Sequence, residues 1–201
     1  MHLLPFVLPT ATHLPAGTWS AGFHLPLPAI EAQLQTTDAI TLHALAGVPA
    51  GGGGTLGHSV GSVRVAGSIY WGGVPTIGWG YGGHGAVTWR GEKAQLGVSS
   101  GALYTSELEL TPHATANAAQ ALNARWTLLA EGALVWDELV LPRCDGVCGP
   151  SGGLALAGAR RSWERVSVEG AAGVARAEPE GIDAIPMGWL GATWSGRLWV
   201  H

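Results

Sequence analysis

The stretch that decides the fold is TIGWGYGGHGAVTWR, residues 76–90. Every second residue from Ile77 gives Ile, Trp, Tyr, Gly, Gly, Val and Trp, while the residues between them are mostly small. Because successive side chains of a β-strand point to opposite faces, this alternation predicts a strand with one bulky apolar face. Trp79 and Trp89 mark the two ends of that face, so their separation gives its length.

The spacing of the tryptophans predicts what this face touches. Trp79 and Trp89 are ten residues apart, and so are Trp126 and Trp136 on another alternating stretch. Ten residues span about 33 Å along a strand, and a tilt of about 40° reduces this to about 25 Å along a barrel axis, the height of a transmembrane apolar band. Tryptophan suits the edges of such a band because its ring is apolar and its N–H reaches water. We therefore expect five membrane-interface anchors: Trp71, Trp79, Trp89, Trp126 and Trp136.

Ten segments of the chain alternate in this way. They are 18–25, 30–35, 40–47, 59–71, 76–90, 94–110, 122–136, 154–160, 164–177 and 187–200. Short turn signals separate many of them, and PAGGGG at 49–54 is interpreted as a connection. The stretch ATANAAQAL at 114–122 is compatible with a short helix or a further strand. The pattern predicts an antiparallel up-and-down meander of about ten strands, with eight to twelve possible.

Composition narrows the class of protein. Only 12% of the 201 residues are charged, 32 are glycine and ten are tryptophan. No apolar run reaches the roughly 18 residues of a spanning helix. This leaves a buried soluble β protein, a transmembrane β-barrel or an aggregating fragment. The net charge of −4 and the absence of a basic cluster exclude nucleic acid as a partner.

The polar faces of the strands favour the membrane interpretation. A soluble barrel would present Lys, Glu, Thr and Arg to water, whereas these faces are rich in Gly, Ala and Ser. Such faces suit a closed interior. We therefore predict an all-β, antiparallel transmembrane β-barrel, and the alternative is a soluble barrel whose aromatic residues form the core and bind an apolar ligand.

Because of this pattern of strands, residues 17–200 resemble the small outer-membrane β-barrel proteins of Gram-negative bacteria. The resemblance depends on the alternating strands, the aromatic girdles and hairpins such as AQLQTTDAITLHALAG (32–47) and ALNARWTLLAEG (121–132). It implies a location in the outer membrane, with the lipid bilayer as partner, although no signal peptide is evident. The domain prediction is a Pro-rich segment, 1–16, which is periplasmic or a plug, followed by a barrel, 17–201.

Charged residues on the polar faces would point into the barrel. These are Arg64, Glu107, Arg125, Glu131 and Glu169, and His84 lies on the same side. Isolated charges in a lumen must pair or be hydrated, so we expect a network of Arg with Glu that ties strands together. A selectivity lining or a catalytic cluster is the alternative.

Catalytic and metal-binding motifs are lacking. The eight histidines form no HxH, HxxxH or HExxH pattern. GVSSG at 97–101 matches GxSxG formally, but it lies inside a strand, whereas a nucleophile elbow requires a strand, a turn and a helix. The runs GGGG (51–54) and GWGYGG (78–83) open no helix, which argues against a phosphate loop. We predict no catalytic residues, no metal and no cofactor.

The cysteine loop and the small inward residues of two strands lead to two further predictions. Cys144 and Cys148 lie in a turn-rich loop, which predicts a disulfide in an oxidising compartment on the extracellular side. The small inward residues of 76–90 and 94–110 would make that side of the lumen roomy, and we interpret the glycines as permitting tight strand coiling. The alternative is that water, a small solute, a lipid-like ligand or the N-terminal plug fills the space. The predicted function is a non-enzymatic outer-membrane barrel, structural or a narrow pore, and the enzyme alternative is a lipid-modifying barrel.

Overall fold

The computed structural model describes residues 16–25, 29–47, 50–74, 78–105, 109–136, 150–177 and 182–198. These residues form twelve strands. They are β1 (Thr18–Leu25), β2 (Ala29–Gln35), β3 (Ile40–Gly47), β4 (Ala50–Val60), β5 (Val63–Val74), β6 (Gly78–Arg90), β7 (Ala94–Thr105), β8 (Glu109–Ala121), β9 (Trp126–Val135), β10 (Gly152–Ser162), β11 (Val166–Ala177) and β12 (Ile182–Arg197). None of the described residues forms a helix long and apolar enough to cross a membrane.

Each strand pairs antiparallel with its neighbours in sequence, and β1 pairs with β12 to close a barrel. The closing register runs from Thr18 opposite Arg197 to Leu25 opposite Leu190. Closure leaves no strand edge unpaired, which is the condition for a sheet to stand in lipid. The prediction of an all-β, antiparallel closed barrel is therefore confirmed.

The described part of the chain forms twelve strands, the upper end of the expected range, and the estimate of about ten was wrong. The two additional strands are β4 and β8. Strand β4 contains the run 51–54, which had been assigned to a connection, and β8 contains most of the stretch 114–122. Glycine has no side chain and alanine a small one, so neither strand shows a readable alternation of bulky and polar residues.

The glycine run of β4 allows close approach of β5. A Cβ atom on Gly53 would meet the carbonyl oxygen of Ile69 and lie 3.0 Å from the Cα of Tyr70. A Cβ on Gly51 would likewise meet the carbonyl oxygen of Trp71. The run is thus part of the barrel wall, and glycine is required at Gly51 and Gly53 because the backbone of β5 lies against these two positions.

The distribution of side chains is the reverse of that in a water-soluble protein. Buried polar or charged residues outnumber buried apolar ones; they are Thr18, Gln35, Thr41, Thr55, Arg64, Thr88, Thr105, Thr111 and Glu169. Large apolar side chains are exposed instead, among them Ile69 at 75% and Trp79 at 63%. A soluble barrel with an apolar interior would show the opposite distribution.

The two ends of the barrel differ in their connections. The turns at 36–39, 61–62, 91–93, 122–125 and 163–165 all lie at the end where β1 begins and β12 ends, which we call the turn end. The opposite end, the loop end, carries the longest connection, from Val135 to Gly152. Cys144 and Cys148 belong to that connection and lie outside the described residues, as do residues 1–15, so the disulfide and the plug remain predictions.

Candidate functional site

A row of polar residues crosses the inner face of seven neighbouring strands. The pairing register places its members opposite one another in turn, from β2 to β8. We call this the polar row: Gln35, Thr41, Thr55, Ser68, His84, Gly101 and His113. Neighbouring inner-face positions add His43 on β3 and Tyr70 on β5, because side chains two residues apart on a strand share a face.

Hydrogen bonds join the hydroxyl groups of the row. The hydroxyl of Thr41 donates to Oε1 of Gln35 at 2.6 Å, and Nε2 of Gln35 donates to the carbonyl oxygen of Thr37 at 2.5 Å. Further along, the hydroxyls of Thr55 and Ser68 lie 2.7 Å apart. These bonds join β2 to β3 and β4 to β5 within the row.

Three imidazoles line the inner face at and beside the polar row. The rings of His84 and His113 lie 6.5 Å apart, edge to face, and the ring of Tyr70 lies 5.8 Å from that of His84. Nε2 of His43 is 3.1 Å from the hydroxyl of Thr55. In each of the three histidines Nδ1 is buried and has no hydrogen-bond partner among the described residues, so each imidazole has one ring nitrogen whose hydrogen-bonding capacity the described residues leave unused.

Gly101 explains why two of these imidazoles can be so close. It stands between His84 and His113 in the register. A Cβ at this position would meet the carbonyl oxygen of Gly83 and lie 2.6 Å from the Cα of His84. A larger residue would push β7 away from β6, so the glycine permits the packing of both imidazoles on the same wall.

The predicted charged residues do not form one cluster. Arg64 is 6% exposed near the turn end, where its guanidinium donates to the carbonyl oxygen of Asp38 at 3.2 Å and to the hydroxyl of Ser59 at 3.5 Å. Glu131 lies on the inner face of β9, opposite Asn117 of β8. Arg125 lies in the exposed turn between β8 and β9, away from the interior, and Glu107 is outside the described residues.

An Arg–Glu pair does join two strands, but its arginine was not predicted. Glu169, which is 6% exposed, accepts hydrogen bonds from Nε and Nη2 of Arg160, both at 2.6 Å. The two residues are directly opposite in the β10–β11 hairpin. The hairpin turn at 163–165 is the signal that could have identified the pair, because residues equally distant from a turn face each other.

The aromatic residues expected as anchors lie mainly on the outer face. Trp71 stacks on Trp79 with the ring centroids 6.1 Å apart, toward the loop end, and Tyr81 packs against Tyr104 beside them. Trp89 and Trp126 are exposed toward the turn end. Trp136 follows β9 at the loop end and is partly buried.

Two tryptophans near the turn end were not predicted as anchors. Trp163 is exposed in the turn between β10 and β11, where the guanidinium of Arg161 lies 5.0 Å from its ring and 5.5 Å from that of Trp126. Trp194 is exposed on β12. Trp189, five residues away, is on the opposite, inner face of the same strand.

The described residues offer little for covalent chemistry. They contain no group of three or more His, Cys, Asp or Glu side chains placed to hold a metal ion. The hydroxyl of Ser99, in the GVSSG stretch, pairs with that of Thr115 at 2.7 Å. The nearest arrangement to a catalytic triad is His43 with Thr55. However, Nδ1 of His43 has no partner, while a triad needs a carboxylate there to orient the imidazole.

Comparison with known proteins identifies the fold. No family model matches the chain, and no curated protein does. Among solved structures, the NanC porin superposes with a TM-score of 0.61 at 7% identity, over 90% of this chain and 99% of that one. LpxR from Salmonella typhimurium superposes with a TM-score of 0.51 at 9% identity, over 90% of this chain and 100% of that one.

A third structure is the loop L8 deletion mutant of OmpT, an outer membrane protein of Vibrio cholerae. Its TM-score is 0.51 at 12% identity, and the match covers 84% of this chain and 63% of that one, so this chain spans less than two thirds of its length. Identities this low support a statement about fold and none about activity. The chain has the fold of the outer-membrane β-barrels.

Proposed function

We propose that this chain is a non-enzymatic outer-membrane protein that forms a narrow pore for small hydrophilic solutes. The observation that carries the proposal is the inverted distribution of side chains: buried positions are mostly polar, and large apolar residues are exposed. An apolar outer face meets lipid at low cost, and a polar inner face can hold a column of water. The short turns then face the periplasm, and the connection with Cys144 and Cys148 lies outside the cell.

The size of the barrel allows either a pore or an interior filled by side chains. Barrels of about eight strands are filled by their own side chains, whereas those of 16 to 18 strands leave an aqueous channel. A barrel of twelve strands lies between these limits, so the size of the inward side chains decides whether the lumen is open. On β7 the inner face carries Gly97, Ser99 and Gly101, which add little bulk of their own to the lumen, while the side chains of Asn117 and His84 lie over the two glycines.

Neighbouring serines on β7 allow a matched test of the pore. Ser99 is partly buried on the inner face and Ser100 is exposed on the outer face. Ser99→Trp places an indole in the lumen, and we expect single-channel conductance in a planar bilayer to fall roughly twofold or more. Ser100→Trp adds the same side chain on the lipid side and should leave the conductance of the wild type unchanged.

Two outcomes would contradict the pore. The first is an absence of channels from wild-type protein that migrates as a folded, heat-modifiable barrel. The second is equal conductance in the Ser99→Trp and Ser100→Trp variants, because the inner face of β7 would then not line the conducting path.

A further inference from the structure

We infer that His43, His84 and His113 determine the ion preference of the lumen and make it depend on pH. This inference rests on the proposed pore and assigns its specificity to named residues. The three imidazoles come from β3, β6 and β8 and face the interior on one side of the barrel. We call these three side chains, His43, His84 and His113, the imidazole wall.

The side chains of His43, His84 and His113 are half-buried on the inner face, so part of each ring is accessible from the lumen. Each has a buried Nδ1 without a hydrogen-bond partner among the described residues. The rings of His84 and His113 are 6.5 Å apart, with only Gly101 between them in the register. No side chain from β7 therefore separates the two rings, and a solute passing this wall meets both.

Few other ionisable side chains face the lumen beside the imidazole wall. On neighbouring strands the titratable groups that face the interior are Glu31 on β2, Arg64 and Tyr70 on β5, and Glu131 on β9. The carboxylate of Glu31 accepts a hydrogen bond from the side-chain amide of Gln33, and Arg64 lies toward the turn end. The described inner faces of β4 and β7 carry no charged residue.

The charge of the wall follows from the chemistry of histidine. An ordinary imidazole takes up a proton near pH ~6.5, and neutral imidazoles leave the wall uncharged above that range. Protonation at acidic pH adds up to three positive charges, in steps because close imidazolium groups repel each other. A lumen lined with positive charge concentrates anions and excludes cations. Preference for small anions should therefore rise as the pH falls.

The test compares reversal potentials in a KCl gradient at about pH 8 and about pH 5. In the wild-type pore we expect the chloride-to-potassium permeability ratio to rise roughly threefold or more on acidification. In the His84→Asn/His113→Asn variant the permeability ratio should rise by less than about half of the wild-type increase, because asparagine keeps a polar side chain that takes up no proton. His58→Asn is the matched control, since His58 is an exposed β4 residue of the opposite, outer face.

The single variants His84→Asn and His113→Asn guard against misfolding of the double variant, and each should lose part of the rise. A wild-type ratio that does not change with pH, or an equal rise in wild-type and histidine variants, would overturn the inference and leave the pore intact. A folded wild-type barrel that conducts at neither pH would overturn both the pore and the inference.

Discussion

At the scale of single residues, the glycines of β4 illustrate what backbone contact demands. Gly53 and Gly54 are adjacent, yet their surroundings differ. A Cβ on Gly53 would meet the backbone of Ile69 and Tyr70, whereas a Cβ on Gly54 would find its nearest neighbours at 3.7 and 3.8 Å, the carbonyl oxygen of Thr41 and Cδ2 of Leu42. Glycine is therefore required at position 53, whereas position 54 can accept a larger residue.

Alanine substitution separates the two positions. Gly53→Ala should lower the free energy of unfolding by about 1–3 kcal/mol, because the added methyl group forces β4 away from β5. Gly54→Ala should be neutral or stabilise by up to about 1 kcal/mol, since it restricts the unfolded chain without a clash. Urea unfolding in lipid vesicles, followed by tryptophan fluorescence, measures both. Equal losses in the two variants would contradict the assigned approach of β4 and β5.

At the scale of the elements, the strands differ in how well the sequence predicts them. Strand β6 was evident because bulky apolar residues alternate with small ones between Trp79 and Trp89. Strands β4 and β8 were missed or left open because glycine, alanine and small polar residues fill both of their faces. Alternation reports the contrast between two faces, so a strand with two similar faces gives no signal.

The β10–β11 hairpin makes a prediction at this scale. Arg160→Ala removes the partner of a buried carboxylate, so it should cost about 1–3 kcal/mol of stability. Glu169→Gln in the Arg160→Ala background should recover part of that loss, because the buried charge is gone. The same unfolding assay measures the single and double variants. Additive losses would show that the Arg160–Glu169 pair does not couple the two strands.

At the scale of the whole molecule, the fold was largely predictable and the interior was not. The barrel class follows from one pattern repeated along most of the chain. The neighbours inside the lumen depend on register instead: His84 and His113 meet only because β7 places Gly101 between them. Arg160 faces Glu169 for the same reason, whereas Arg125 falls in a turn. A shift of one residue would turn each side chain to the other face.

The central claim is that alternate residues of each strand face lipid and water, and a spin-label scan of β9 tests it most directly. Positions 127–134 are replaced one at a time by a labelled cysteine in a Cys144→Ser/Cys148→Ser background, in lipid vesicles. We predict that labels at even positions are accessible to oxygen dissolved in the bilayer and labels at odd positions to a water-soluble nickel chelate. Accessibility without this two-residue period, or with the two faces exchanged, would contradict the account.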